Sequence, residues 1–312
     1  MTSKNKQSRF VSKSFFAYFQ NHWHLYAMLA VPVGFFITFA YWPMFGLTMA
    51  FQDFRPSLGF FRSEFVGMRH FSRFFNAPSF YTLIRNTFLL SFYSLIIGFP
   101  FPIILAIGLN ELKNGLYKRA VQLVTYAPYF ISTTVMVSLI FLWTDMRIGI
   151  INSIIDLLGF SRQNFMGQAS AFRTIYIASG IWQYTGFNSI VYLAALNAVD
   201  PQLHEAAIMD GASKIKRILH IDIPGILPTV IILLILNCGQ LFNVGFEKTF
   251  LMQTPLNSTV SEIISTYVYK IGIQQVNFSF ATAIGFFNSV INLIMIISVN
   301  TIAKKVGETS LW

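Results

Sequence analysis

One cysteine, Cys238, is all that the 312 residues contain, and it falls inside an apolar stretch. A single thiol excludes a disulfide framework and a cysteine-based metal site. Charge is scarce as well, at 11% of the chain against 54% hydrophobic residues. A soluble domain could not hide that much apolar surface, 34 Phe included, so the composition reads as an integral membrane protein. No G-x-x-x-x-G-K-[ST] loop occurs, so the chain has no cradle of that kind for ATP, and any such energy source must be another polypeptide. His22, His24, His70, His204 and His220 all lie at or beyond the ends of apolar segments, which removes the Ser-His arrangement of an intramembrane hydrolase. No Asp or Glu occupies the centre of a segment either, which argues against proton relays, ion pathways and coupled symport. The net charge of +10 has no aromatic-and-basic surface module beside it, so membrane topology explains it more simply than nucleic acid does.

What the chain does have is apolar length. A run from Tyr26 to about Ala50 is too long for the core of a signal peptide and reads as the first spanning helix. Five more segments reach the required length of about 20 residues: approximately Leu83 to Leu109, Val121 to Trp143, Ile175 to Leu196, Ile226 to Gly245, and Phe280 to Ile302. The expectation is an all-α, polytopic membrane protein with six spanning helices. Residues 1–24, with Lys4, Lys6, Arg9 and Lys13 ahead of an aromatic cluster, read as a cytoplasmic tail and interfacial helix, and 25–312 as one membrane domain. Six helices put both termini on one side. Lys4, Lys6, Lys13, Lys113, Lys118, Lys214, Lys216, Lys304 and Lys305 fall on that side against Lys248 and Lys270 on the other, which makes it cytoplasmic. Arginine runs the other way, since Arg55, Arg62, Arg69, Arg73, Arg147, Arg162 and Arg173 land in outer loops. Pro100, Pro102 and Pro128 interrupt the ladder of their segments and permit kinks.

The membrane centre carries uncharged polarity. Tyr184, Asn188 and Tyr192 share one face of the fourth segment, Asn237 and Gln240 lie on the fifth, and Asn288 and Asn292 share a face of the sixth. Any one of these amides is ordinary interhelical glue, worth about 0.6 kcal/mol on average. As a set at one depth on three helices, amides and aromatic rings suit sugar hydroxyls and the apolar faces of pyranose rings.

Between the fourth and fifth segments lies Glu205-Ala206-Ala207-Ile208-Met209-Asp210-Gly211, followed by Ile221-Asp222-Ile223-Pro224. Asp200 is a good N-cap, Pro201 suits the first helical position, and Gly211 can take the left-handed conformation that closes a helix. Ser213 can cap a second short helix carrying Lys214, Lys216 and Arg217, which Pro224 hands over to the next segment. His204 reads as a solvated loop residue.

This stretch resembles the EAA loop of permease subunits of ABC importers, E-A-A, three residues, G, nine residues, I-x-L-P. Glu205, Ala206, Ala207, Gly211, Ile221 and Pro224 are in register, and Ile223 replaces the Leu. Phe65-Val66-Gly67-Met68-Arg69-His70-Phe71, Arg85-Asn86-Thr87, Thr266-Tyr267-Val268-Tyr269 and the closing Gly307 to Trp312 are similar to the LplB-type permeases, a branch of the maltose-type carbohydrate importers. The resemblance runs from about Tyr26 to Trp312. It implies the type I permease fold in a bacterial cytoplasmic membrane, and a transport subunit rather than an enzyme. It also implies a second homologous permease, two cytoplasmic ATPase subunits that hold ATP and Mg, and an extracellular solute-binding protein. The implied cargo is an oligosaccharide, with a peptide or phosphate as the alternative. By the same resemblance Glu205, Ala206, Ala207, Met209, Asp210, Gly211 and Pro224 couple the chain to the ATPase, within a loop at 200–224.

Overall fold

A computed structural model describes residues 22–306; most of the basic tail and the closing Gly307 to Trp312 lie outside them. The chain opens with α1, Trp23–Phe51, whose apolar side chains pack against nothing over most of its length, Met28, Val31 and Trp42 being more than 70% exposed. Its last turns, around the buried Ala50, lean on the final helix. The outer loop then folds back as a two-residue hairpin, β1 (Gln52–Asp53) antiparallel to β2 (Glu64–Phe65), the one departure from an all-α chain among the described residues. The short helix α2, Arg69–Phe75, follows. Phe54 N–H donates to Ser279 Oγ at 2.8 Å, and the Arg73 guanidinium sits 4.4 Å from the centre of the Phe280 ring, so this loop is fastened to the far end of the sequence.

The helix α3, Phe80–Glu111, is interrupted for one residue at Phe99, just before Pro100 and Pro102, although Phe99 keeps helical dihedrals. The third predicted segment is not one straight helix. It is α4, Leu116–Phe130, and α5, Thr133–Thr144, set at 102° to each other. Pro128 tightens the end of α4 into a 3₁₀ turn, Ile131 and Ser132 become extended, and the Ser132 hydroxyl caps α5 by accepting from Val135 N–H at 3.4 Å. The carbonyl that the break leaves on Ile131 accepts from Gln183 Nε2 at 3.0 Å. Irregular backbone at membrane depth survives only where its polar groups find such partners.

Gln183 belongs to α6, Ala169–Asn197, the helix around which α3, α4 and α8 gather. Helix α7, Pro201–Met209, leads to α8, Lys214–Cys238, which absorbs the short basic helix predicted as a separate piece. A π turn over Ile218–Asp222 makes the continuity possible: Ile223 N–H donates to Ile218 O, so the missing N–H of Pro224 arrives where the ladder has already slipped. Helix α8 stops at Cys238, seven residues before the predicted end, and residues 239–245 form turns. Asn292 accepts from Phe242 N–H there at 3.0 Å. Helix α9, Phe246–Met252, and the closing α10, Phe278–Val306, complete the framework.

Length and apolarity together support four spanning helices, α1, α3, α8 and α10, and a fifth if the bent pair α4 and α5 is one span. Helix α6 has 29 residues, about 43 Å of rise, but it carries Gln183 and Asn188 and falls short in apolarity, so the expected six is not reached on these grounds. Aromatic packing of Phe74, Phe80, Phe280 and Phe287, with Leu83 and Ile284, forms a core beneath the outer loop. A second core joins Ala106 of α3, Tyr192 and Leu196 of α6, and Ile226 of α8.

Candidate functional site

Two places gather the residues singled out in the sequence. The first is the loop at 200–224. Asp200 Oδ1 accepts from Gln202 N–H at 2.9 Å and Pro201 takes the first helical position. At the other end Gly211 turns left-handed at φ +74°; its N–H donates to Ile208 O at 3.0 Å, and Ala212 N–H donates to Ala207 O at 2.9 Å. These are the paired bonds of a Schellman closure, so both ends form as predicted. Ser213 stands at the next N-cap position, but its hydroxyl makes no capping bond.

Helix α7 buries none of its residues. Leu203 is 53%, Ile208 55% and Met209 86% exposed, with Glu205, Ala206 and Asp210 exposed beside them. Small Ala residues next to projecting apolar knobs make a surface suited to a groove in another protein. His204 does not behave as a solvated loop residue: its Nε2 lies 3.2 Å from Oδ1 of Asp222, whose side chain is 2% exposed. Spacing could not show this contact, because the 17 residues between the two cross a turn and a π slip.

The second place is a cavity of about 670 Å³ between α3, α6, α8 and the turns after α8, within the range of ligand sites. Tyr184, Asn188, Tyr192, Asn237 and Gln240 all line it. Asn288 and Asn292 do not: Asn292 holds the turn at Phe242, and no residue of α10 lines the cavity. Asn237 Nδ2 donates to Leu233 O at 2.7 Å, and Gln240 Oε1 accepts from Asn243 Nδ2 at 2.9 Å, which leaves acceptor capacity on Asn237 and donor capacity on Gln240. Phe187 stacks on Tyr129 at 3.7 Å between ring centres.

Sequence reasoning missed Ser91 and Ser94 of α3, and Lys248 of α9, on the same walls. Lys248 is 6% exposed; its Nζ donates to Tyr176 O at 3.0 Å and stands 4.6 Å from the Tyr176 ring centre. No ion pair among the described residues includes it, and burial pushes its amine down to about 8. The signal was a lysine three residues beyond an apolar segment. Only the early end of α8 turns that position back toward the cavity.

Residues 98–308 match the family described as the binding-protein-dependent transport system inner membrane component. The chain belongs to that family and is a membrane permease subunit, a transport component rather than an enzyme. It is 43% identical over 288 residues to protein LplB of Bacillus subtilis (strain 168), covering 92% of this chain and 91% of that protein. It is 42% identical over 289 residues, 93% of this chain and 90% of the other, to the polygalacturonan/rhamnogalacturonan transport system permease protein YteP of the same organism. Among solved structures, a chain of a bacterial ABC transporter involved in importing the acidic polysaccharide alginate superposes with a TM-score of 0.87. The two are 37% identical, and the match covers 94% of this chain and 99% of that one. A chain of the alginate transporter in complex with its alginate pentasaccharide-bound periplasmic protein gives 0.88.

Proposed function

We propose that this permease passes an acidic oligosaccharide, received from an extracellular solute-binding protein, through the cavity between α3, α6 and α8. As a carbohydrate-importer permease it pairs with a second homologous permease and with two ATPase subunits that hold ATP and Mg. In this reading residues 25–312 form one membrane domain, and α7 with Gly211 is the coupling helix. Glu205 and Asp210 set its register on the ATPase, Ala206 and Ala207 allow close approach, Met209 fills an apolar notch, and Pro224 carries the motion into α8.

The observation that carries the cargo is Lys248, a buried ammonium on a wall of amides and aromatic rings; Glu247 lines the same cavity, yet no ion pair among the described residues includes Lys248. A uronate carboxylate would complete it with a charge-assisted hydrogen bond, while Tyr184 meets ring faces, Tyr192 backs the wall from the core, and Asn188, Asn237 and Gln240 meet hydroxyls. Two relatives support it, since YteP is named for polygalacturonan and the solved importer for alginate. The test is uptake of a uronate oligosaccharide against a neutral one of equal length by the assembled importer. Lys248→Met should cut acidic uptake by about tenfold and leave neutral uptake in place, with Lys248→Arg close to wild type. Equal loss of both cargoes in Lys248→Met would refute the assignment.

A further inference from the structure

Helix α7 poses a mechanical question, because a helix that buries none of its residues has few means of passing a push to the membrane. Its two ends are closed by bonds within the loop itself. Two features reach beyond the loop to α8. One is the close approach of Val199 to Gly225, where an added Cβ would stand 2.7 Å from Val199 Cγ2. The other is the 3.2 Å approach of His204 on α7 to Asp222 in the π turn of α8.

Asp222 is the acid at the root of a spanning helix, 1% exposed, and neither Oδ1 nor Oδ2 has a hydrogen-bond partner among the described residues, so the 3.2 Å approach of His204 to Oδ1 is a close contact rather than a formed hydrogen bond. A carboxylate buried that deeply is expensive unless compensated. The groups around it come from three elements: His204 from α7, Glu111 from the end of α3, and Arg217 from α8 itself. Of these, His204 alone belongs to the helix that meets the ATPase in the function proposed above, on which this inference rests. Lys214 is 3.7 Å from Glu111, but its side chain is 72% exposed, so this neighbouring pair is a weak tether.

We propose that the His204–Asp222 contact is the tie that makes α7 and α8 move together, so that motion of the ATPase against α7 turns α8 and its cavity residue Asn237. His204 and Asp222 are positioning residues: neither touches cargo or nucleotide. The π turn suits the task, because a slipped ladder next to Pro224 is the soft point of α8, where a push would otherwise dissipate. A tie across that point delivers the push to the helix on the membrane side of it.

The test uses the full importer in proteoliposomes, with both permeases, both ATPase subunits and loaded binding protein. It reads cargo taken up per ATP hydrolysed, beside the melting temperature of the complex. His204→Ala should lower that ratio by about tenfold while ATP hydrolysis and assembly persist, the size of a typical coupling between distant sites. His204→Gln, which keeps a donor facing Asp222, and the exchanged pair His204→Asp with Asp222→His should both hold the ratio near wild type. A contact that merely stabilises the fold would lower the melting temperature and leave the ratio unchanged, and that result in His204→Ala overturns the proposal. So does an assembled His204→Gln complex whose ratio falls as far as that of His204→Ala.

Discussion

Gly211 holds φ +74°, a conformation that costs a residue with a Cβ about 1–2 kcal/mol. Gly211→Val should therefore open the α7 closure and cut ATP-driven uptake without unfolding the membrane body; wild-type uptake in the correctly inserted variant would show that the loop does not couple. Lys248 gives the cavity a pH signature. Its folded value of about 8 lies below the roughly 10.4 of an unfolded lysine, so its buried charge opposes folding below pH 8. That opposition fades as pH rises from 8 toward 10.4, so stability gains over this window, while the pairing with acidic cargo is lost as pH passes 8. Acidic uptake relative to neutral uptake should fall between about pH 7 and 9 in the wild type and stay level in Lys248→Arg, as parallel uptake profiles would record. The sequence disclosed Gly211 because a glycine after a capped helix has few other uses. It concealed Lys248 and Asp222 because burial of a charged residue is decided by packing from distant parts of the chain. Motif spacing says nothing about such packing.

At the scale of elements, prolines were readable as breaks, but the size of the α4–α5 bend was not. It depends on Gln183, 52 positions beyond Ile131, taking the freed carbonyl. Gln183→Leu should cost about 1–3 kcal/mol through that unsatisfied carbonyl and lower the melting temperature of the purified permease; no change would mean that water or lipid headgroups serve the carbonyl instead. Gly186 sets a neighbouring limit, since any Cβ there would run into the Thr125 carbonyl, so Gly186→Val should separate α6 from α4 and abolish insertion or assembly. The amide pattern was informative in part. Five of the seven candidate residues converge on one cavity, because Tyr184, Asn188 and Tyr192 share a helix face, Asn237 lies at the end of α8 and Gln240 in the turn just after it. Asn288 and Asn292 share a face by the same arithmetic, yet neither lines the cavity, and Asn292 holds the turn at Phe242 instead. Helical periodicity groups residues correctly and leaves open which neighbour each group meets.

On the scale of the whole molecule, α1 stands exposed to lipid or to another subunit, α7 projects apolar side chains beyond the body, and the cavity opens between helices of a chain built to work beside others. Apolar runs gave the membrane class and the helix positions. The number of spans was less legible, because the bend at Ile131 divides one run and the polar residues of α6 dilute another. The account predicts that the chain in isolation drives nothing, and that motion enters through α7 and acts at the cavity. The most direct measurement is uptake of a uronate oligosaccharide and of a neutral one of equal length into proteoliposomes holding this chain, its partner permease, the ATPase pair and the binding protein. ATP-dependent accumulation of the uronate chain, in clear excess over the neutral one and absent when the ATPase pair is omitted, is the predicted result. Accumulation without the ATPase pair, or equal accumulation of the two oligosaccharides, would contradict the account.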